Sequence, residues 1–165
     1  MTIKEATASA FVLRRSEHDD VQVALVWHPR LGEWMAAGGH VEANEHPAEA
    51  ALREITEETG LMTRLIPAPA VALPAGFPHT AVPAPWWIVE MKACSDNHTA
   101  ESHVHVDNVF LAWADDSEPV REPAHEVRWF TADQLAEAAD VAEDSRLQAK
   151  EALELVASGQ VTLPR

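Results

Sequence analysis

The chain has 165 residues, 47% of them hydrophobic and 24% charged, the composition of a soluble globule and not of a disordered segment. Twelve Lys and Arg against 27 Asp and Glu give a formal charge of −15, which argues against a surface built to hold a nucleic-acid polymer. The length suits about one domain, so residues 1–165 are expected to form a single one. The longest stretch free of charge, polar side chains and glycine is eleven residues (65–75) with three prolines. A membrane span needs about 20, so no membrane contact is expected. The single cysteine, Cys94, leaves no intrachain disulfide. The first residues carry Glu5 and no apolar run of signal-peptide length, and a cytoplasmic protein is the expectation.

In chain order, residues 7–14 (TASAFVLR) and 21–28 (VQVALVWH) read as strands joined by a polar turn. Residues 34–41 form a short apolar piece interrupted by Gly38-Gly39. A helix is expected next, because Pro47 suits a first helical position and Gly60 the residue just past the end. Residues 65–85 hold six of the eleven prolines, which excludes helix and central strand. A stiff loop walling a site is the favoured reading, with a plain connector or a hidden edge strand as alternatives. Residues 86–93, 103–114 and 127–130 read as strands, and helices are expected near 132–142 and 145–157. The order mixes strands and helices in the manner of an α/β protein.

The chemistry concentrates in residues 38–61, GGHVEANEHPAEAALREITEETGL. On a helix from Pro47, Glu54, Glu57 and Glu58 fall at i, i+3 and i+4 and share one face, while Ala48, Ala51, Leu52 and Ile55 supply an apolar side. The acidic face is costly. Like charges at these spacings repel, and they stand near the negative end of the helix dipole. Three carboxylates from one turn suit a hard cation such as Mg²⁺. A solvated acidic face, partly compensated by Arg53 and Arg64, would show the same spacing.

Gly39, Glu45, the run Arg53-Glu54-Ile55, Glu57-Glu58 and Gly60-Leu61 together resemble the signature of the Nudix hydrolases at all nine fixed positions over 23 residues. Residues 28–42 resemble the strand entering that motif, and residues 125–135 the stretch leading to the family's last helices. Ala37 stands where proline is common. The resemblance implies an α/β/α sandwich with a mixed β-sheet, and Mg²⁺-dependent (or Mn²⁺-supported) hydrolysis of a diphosphate linked to another moiety. It implies Glu57 and Glu58 as metal ligands beside the Gly39 carbonyl, and Glu54 as a further ligand or the base orienting water. Arg53 would hold a carboxylate and Glu45 would support it. Glu126 is the candidate for a more distal metal-binding acid.

His103, His105 and Asp107 alternate along an expected strand and so share a face. That face could meet the substrate or a further metal, or be a polar sheet face satisfied by its neighbours. His40, beside the glycine pair, and Trp34, close to the motif, are further candidates for substrate contact. The reading favoured is a Nudix-type pyrophosphohydrolase acting on a nucleoside di- or triphosphate or a nucleoside-diphosphate conjugate. A non-catalytic nucleotide-sensing module and an isopentenyl-diphosphate-isomerase-type enzyme are the alternatives. The expected partner is a small diphosphate, with a homodimer left open.

Overall fold

The computed structural model describes residues 2–96, 99–115 and 118–163. Strands β1 (Lys4–Arg15) and β2 (Val21–His28) pair antiparallel only between 12–15 and 21–24, and then diverge. The chain that follows fills the gap. β3 (Glu33–Met35) pairs with β2, and β4 (Ala37–His40) pairs with residues 7–10 of β1. Helix α1 (Pro47–Thr59) comes next, then β5 (Thr63–Ile66), β6 (Trp87–Ala93) and β7 (His103–Ala114). β7 runs parallel to β1, with Glu5 opposite His105 and Thr7 opposite Asp107. β5 and β6 both pair antiparallel with β7. β8 (Val127–Phe130) lies antiparallel to β2, and α2 (Ala132–Glu137) and α3 (Glu143–Ala157) end the described chain.

Strand alternation divides the core into two layers. Ala8, Ala10 and Val12 of β1 join Ala24, Phe110 and Ala112 under Ala48, Ala51 and Ile55 of α1. Phe11 and Leu13 face the other way, with Leu25, Leu111 and Phe130, against Leu135, Ala149, Ala152 and Leu153 of α2 and α3. The small side chains on the first face let α1 lie close to the sheet. The result is an α/β/α sandwich with a mixed sheet. No helix among the described residues is long and apolar enough to cross a membrane.

The ends of α1 follow their chemistry. His46 caps it, its Nδ1 accepting the Glu49 N–H at 3.3 Å while the Glu49 carboxylate accepts the His46 N–H at 3.0 Å. Gly60 closes the helix at φ 74°, a conformation that costs glycine little. Two expected elements differ. The helix expected to reach residue 142 stops at Glu137, because the chain turns outward to bond Trp34: its N–H donates to the Asp140 carbonyl, and its carbonyl accepts the Ala142 N–H. The proline-rich stretch opens with β5 at the edge of β7, and the exposed loop follows.

Candidate active site

β4 is an edge strand whose free side faces α1. Gly38 points its N–H away from β1, and the Glu58 carboxylate accepts it at 2.9 Å. A Cβ on Gly38 would lie 2.6 Å from the Ala8 carbonyl oxygen, and one on Gly39 would overlap the Glu54 carboxylate. The glycine pair is thus required by close approach, which brings Glu54 and Glu58 against the backbone of β4.

Arg53 gathers the remaining groups. It donates from Nε and Nη2 to both oxygens of Glu45, at 3.1 and 2.8 Å. Its Nη1 reaches Glu54 at 2.7 Å and Glu57 at 3.3 Å, and Nη2 also reaches the His40 carbonyl at 3.0 Å. The bidentate fork fixes the guanidinium. These bonds, Glu45's first, raise the Arg53 pKa, and Arg53 in turn holds Glu45 below the usual carboxylate range. Glu58 behaves differently. Burial, reinforced by the charges of Glu54 and Glu57 and opposed by the Gly38 N–H, pushes its pKa up to about 7. Its other oxygen stands 3.5 Å from His125 Nε2.

A cavity of about 390 Å³ opens from this edge, within the size range of small-ligand sites. Glu58, Gly38, Gly39 and His125 line one side, Thr7, Ser9, His105 and Asp107 the sheet wall, and Trp27, Arg30, Met35 and Lys92 the rest. A neighbouring depression continues past Glu54 and Asp96. The His28 pKa is lowered by burial, then by Arg30 and by His125, its stacked neighbour.

The other sequence candidates separate. Asp107 is buried on the cavity floor, where it accepts the Thr7 hydroxyl at 2.8 Å and burial raises its pKa. His103 and His105 meet through their Nε2 atoms at 2.9 Å, with His40 alongside. The His105 pKa is lowered by burial, then by its imidazole neighbours. Trp34 is not brought to the cavity. It is 5% exposed, packed edge-on against Trp27 and Phe130, and donates its indole N–H to Asp140 at 3.2 Å. Trp27, its partner across β2 and β3, is the tryptophan that borders the site. Glu126 is exposed and off the cavity lining; its neighbour His125 faces Glu58. Residues 67–85 do not line this cavity, and Cys94 is exposed away from it.

Sequence reasoning missed His28, His125, Glu5 and Asp96. Adjacency to Glu126 is the one signal that points at His125. Glu5 enters only through the parallel pairing of β1 with β7, which no local pattern announces.

Oxygen donors dominate the acidic face, with the carboxylates of Glu54 and Glu57 held by Arg53 and that of Glu58 by the Gly38 N–H. This donor set fits a hard divalent cation. The carboxylates are not drawn into one tight shell. Among the described residues, donor atoms of three or more His, Cys, Asp or Glu lie within 4.8 Å of one another at Glu5, His40, Asp96, His103 and His105.

Comparison with known proteins agrees with this fold. The NUDIX domain family model matches residues 4–151, and the chain belongs to the Nudix hydrolase family. A NUDIX-family hydrolase from Clostridium perfringens superposes with a TM-score of 0.69 at 25% identity, covering 92% of this chain and 97% of that one. The NUDIX domain of NrtR from Shewanella oneidensis, crystallised with ADP ribose, gives a TM-score of 0.59 at 17% identity, covering 94% and 90%. A Caenorhabditis elegans protein named "Putative nudix hydrolase 1" is 38% identical over 55 residues, which is 32% of this chain and 15% of that one. The chain therefore spans only a small part of that relative's length.

Proposed function

We propose that this protein hydrolyses the diphosphate linkage of a nucleoside di- or triphosphate or a related nucleoside-diphosphate conjugate, with Mg²⁺ as the resident cation. The observation that carries the reading is Glu58 on the Gly38 N–H and Glu54 against Gly39, with Arg53 linking Glu54 to Glu57, beside a cavity of about 390 Å³ lined by Glu58. Glu54, Glu57 and Glu58 would hold the metal with the Gly39 carbonyl, and Glu126 remains the candidate for a distal ligand. A divalent cation bound there neutralises the diphosphate, acidifies water and orients attacking and leaving oxygens.

The chain's own residues do the rest. Arg53 holds Glu54 in one orientation, so that this carboxylate can accept a proton from water without having to be reoriented. Glu45 anchors Arg53 through both of its oxygens. Arg30 and Lys92 give the cavity of a −15 protein local cations for phosphate oxygens. Trp27, Met35 and Met91 offer apolar area for a base. The ADP ribose bound to the similar NrtR domain supports a nucleotide conjugate as substrate class.

A panel of nucleoside di- and triphosphates, nucleoside-diphosphate sugars and dinucleoside polyphosphates tests this directly. Phosphate or nucleoside monophosphate should appear with Mg²⁺ and stop on addition of EDTA. Tight binding of a panel member without turnover would make the protein a sensing module instead.

A further inference from the structure

We infer that Glu5, His40, Asp96, His103 and His105 form a second metal site, for Zn²⁺ or a similar borderline transition-metal ion, distinct from the acidic face of α1. The assembly is long-range. Glu5 comes from β1, His40 from β4, His103 and His105 from β7, and Asp96 from the segment after β6. Their donor atoms all lie within 4.8 Å of one another.

The spacings fit a common centre. His103 Nε2 stands 2.9 Å from His105 Nε2, 3.5 Å from Glu5 Oε2 and 3.4 Å from Asp96 Oδ2. His40 Nε2 stands 3.0 Å from Glu5 Oε2 and 3.7 Å from Asp96 Oδ2, and His105 Nε2 3.6 Å from Asp96 Oδ2. Ligands about 2.0–2.1 Å from one Zn²⁺ are separated by roughly 2.9 Å at right angles, 3.3 Å at tetrahedral angles and 3.6 Å at 120°. The observed separations fall close to that range. A proton can join one or two of these pairs, whereas an ion at the centre serves all five donors. Three imidazoles also disfavour Mg²⁺, which takes oxygen ligands.

The surrounding contacts orient the donors toward that centre. His103 Nδ1 lies 2.9 Å from the Glu101 carbonyl oxygen, the contact that fixes a ligating imidazole with Nε2 inward. The Thr99 hydroxyl donates to Glu5 Oε1 and the Thr99 N–H to Asp96 Oδ1 at 2.8 Å, so one residue holds the outer oxygen of both carboxylates. The His103 side chain has no solvent exposure, and those of the other four ligands are 15–24% exposed. His40, Asp96 and His105 also line the cavity. The ion would offset the charge of the two carboxylates there.

The test is metal retention by the full chain. Chelator-stripped protein is loaded with Zn²⁺ or Co²⁺ in the presence of saturating Mg²⁺, then dialysed and assayed for bound metal per chain. Wild type and Glu57→Gln should each retain one equivalent, and the Co²⁺ form should show visible ligand-field absorption. His105→Ala and Asp96→Asn, both at partly exposed positions, should bind on the order of a hundredfold more weakly, and Thr99→Val roughly 10–100-fold more weakly. Thermal unfolding of each variant separates loss of the ion from loss of the fold. Failure of wild type to retain metal, retention by both ligand variants, or its loss in Glu57→Gln instead would overturn the assignment.

Discussion

Glu58 is the most consequential single residue of the acidic face. Its carboxyl is pushed from 4.5 up to about 7, chiefly by burial. Between those values the folded chain keeps a proton that the unfolded chain has released. Glu58 therefore costs the metal-free protein stability as pH rises from about 4.5 to about 7, by roughly 3 kcal/mol at most. His28 and His105, whose pKa values are lowered, work in the opposite direction near neutrality. The clean readout is the difference between wild type and Glu58→Gln, whose amide oxygen can still accept the Gly38 N–H. In EDTA the variant should gain on wild type across this window and be the more stable protein at pH 8. Chemical unfolding across the pH range measures it; a constant difference would show that Glu58 is not a buried, charge-strained acid. Arg53 is the complementary residue. Because it fastens Glu54 and Glu57 to Glu45, Arg53→Lys should lower kcat by about two orders of magnitude with KM little changed. A comparable rise in KM with kcat intact would give Arg53 a substrate-binding role instead.

At the scale of elements, α1 is held at its C-terminal end by the segment before β8. The carbonyls of Glu57, Glu58 and Gly60 accept N–H groups of Ala124, His125 and Val120 at 3.0, 3.2 and 2.9 Å. No basic residue stands in the last turn, so these backbone donors do what a lysine or arginine would otherwise do there. The same segment carries His125 to Glu58. Gly60→Ala should therefore be felt twice. The left-handed backbone costs about 1 kcal/mol, and the new Cβ would lie 2.9 Å from Pro119 Cβ and overlap the Arg121 carbonyl. Melting should fall by at least about 2–4 °C, with a larger loss of turnover than an exposed helix substitution such as Lys150→Ala causes. Equal activity of the two variants would separate the segment from the site. The sequence announced α1 because its signals are local: a proline at the first position, a glycine after the last, and apolar residues at helical spacing. The overrun of α2 has the opposite cause. Residues 138–142 suit a helix by composition, but their backbone bonds to Trp34 on a distant strand decide otherwise.

Across the whole molecule, what could be read from sequence is what lies close along the chain. The acidic face, the helix ends and most strands are contiguous patterns, whereas the cavity is assembled from β1, β2, β4, β7 and the segment before β8. Glu5 could not be found without the pairing of β1 with β7, His125 is carried to the site by the segment entering β8, which pairs with β2, and Trp34 looked available only because its packing on Phe130 spans 96 residues of chain. The proline-rich loop is the reverse case, conspicuous in sequence and absent from the cavity lining. Replacing residues 69–81 by a short Gly-Ser linker should leave kcat/KM within about twofold, since exposed loops tolerate such changes; a tenfold loss would return that loop to the site. The account as a whole rests on the carboxylates of α1 as the groups that make diphosphate hydrolysis metal-dependent. The measurement that tests this most directly is the turnover of Glu57→Gln and Glu58→Gln against wild type, on the best substrate of the panel with saturating Mg²⁺. Each variant should lose at least about two orders of magnitude in kcat while keeping a wild-type fold by circular dichroism. Near-wild-type turnover of both would contradict it.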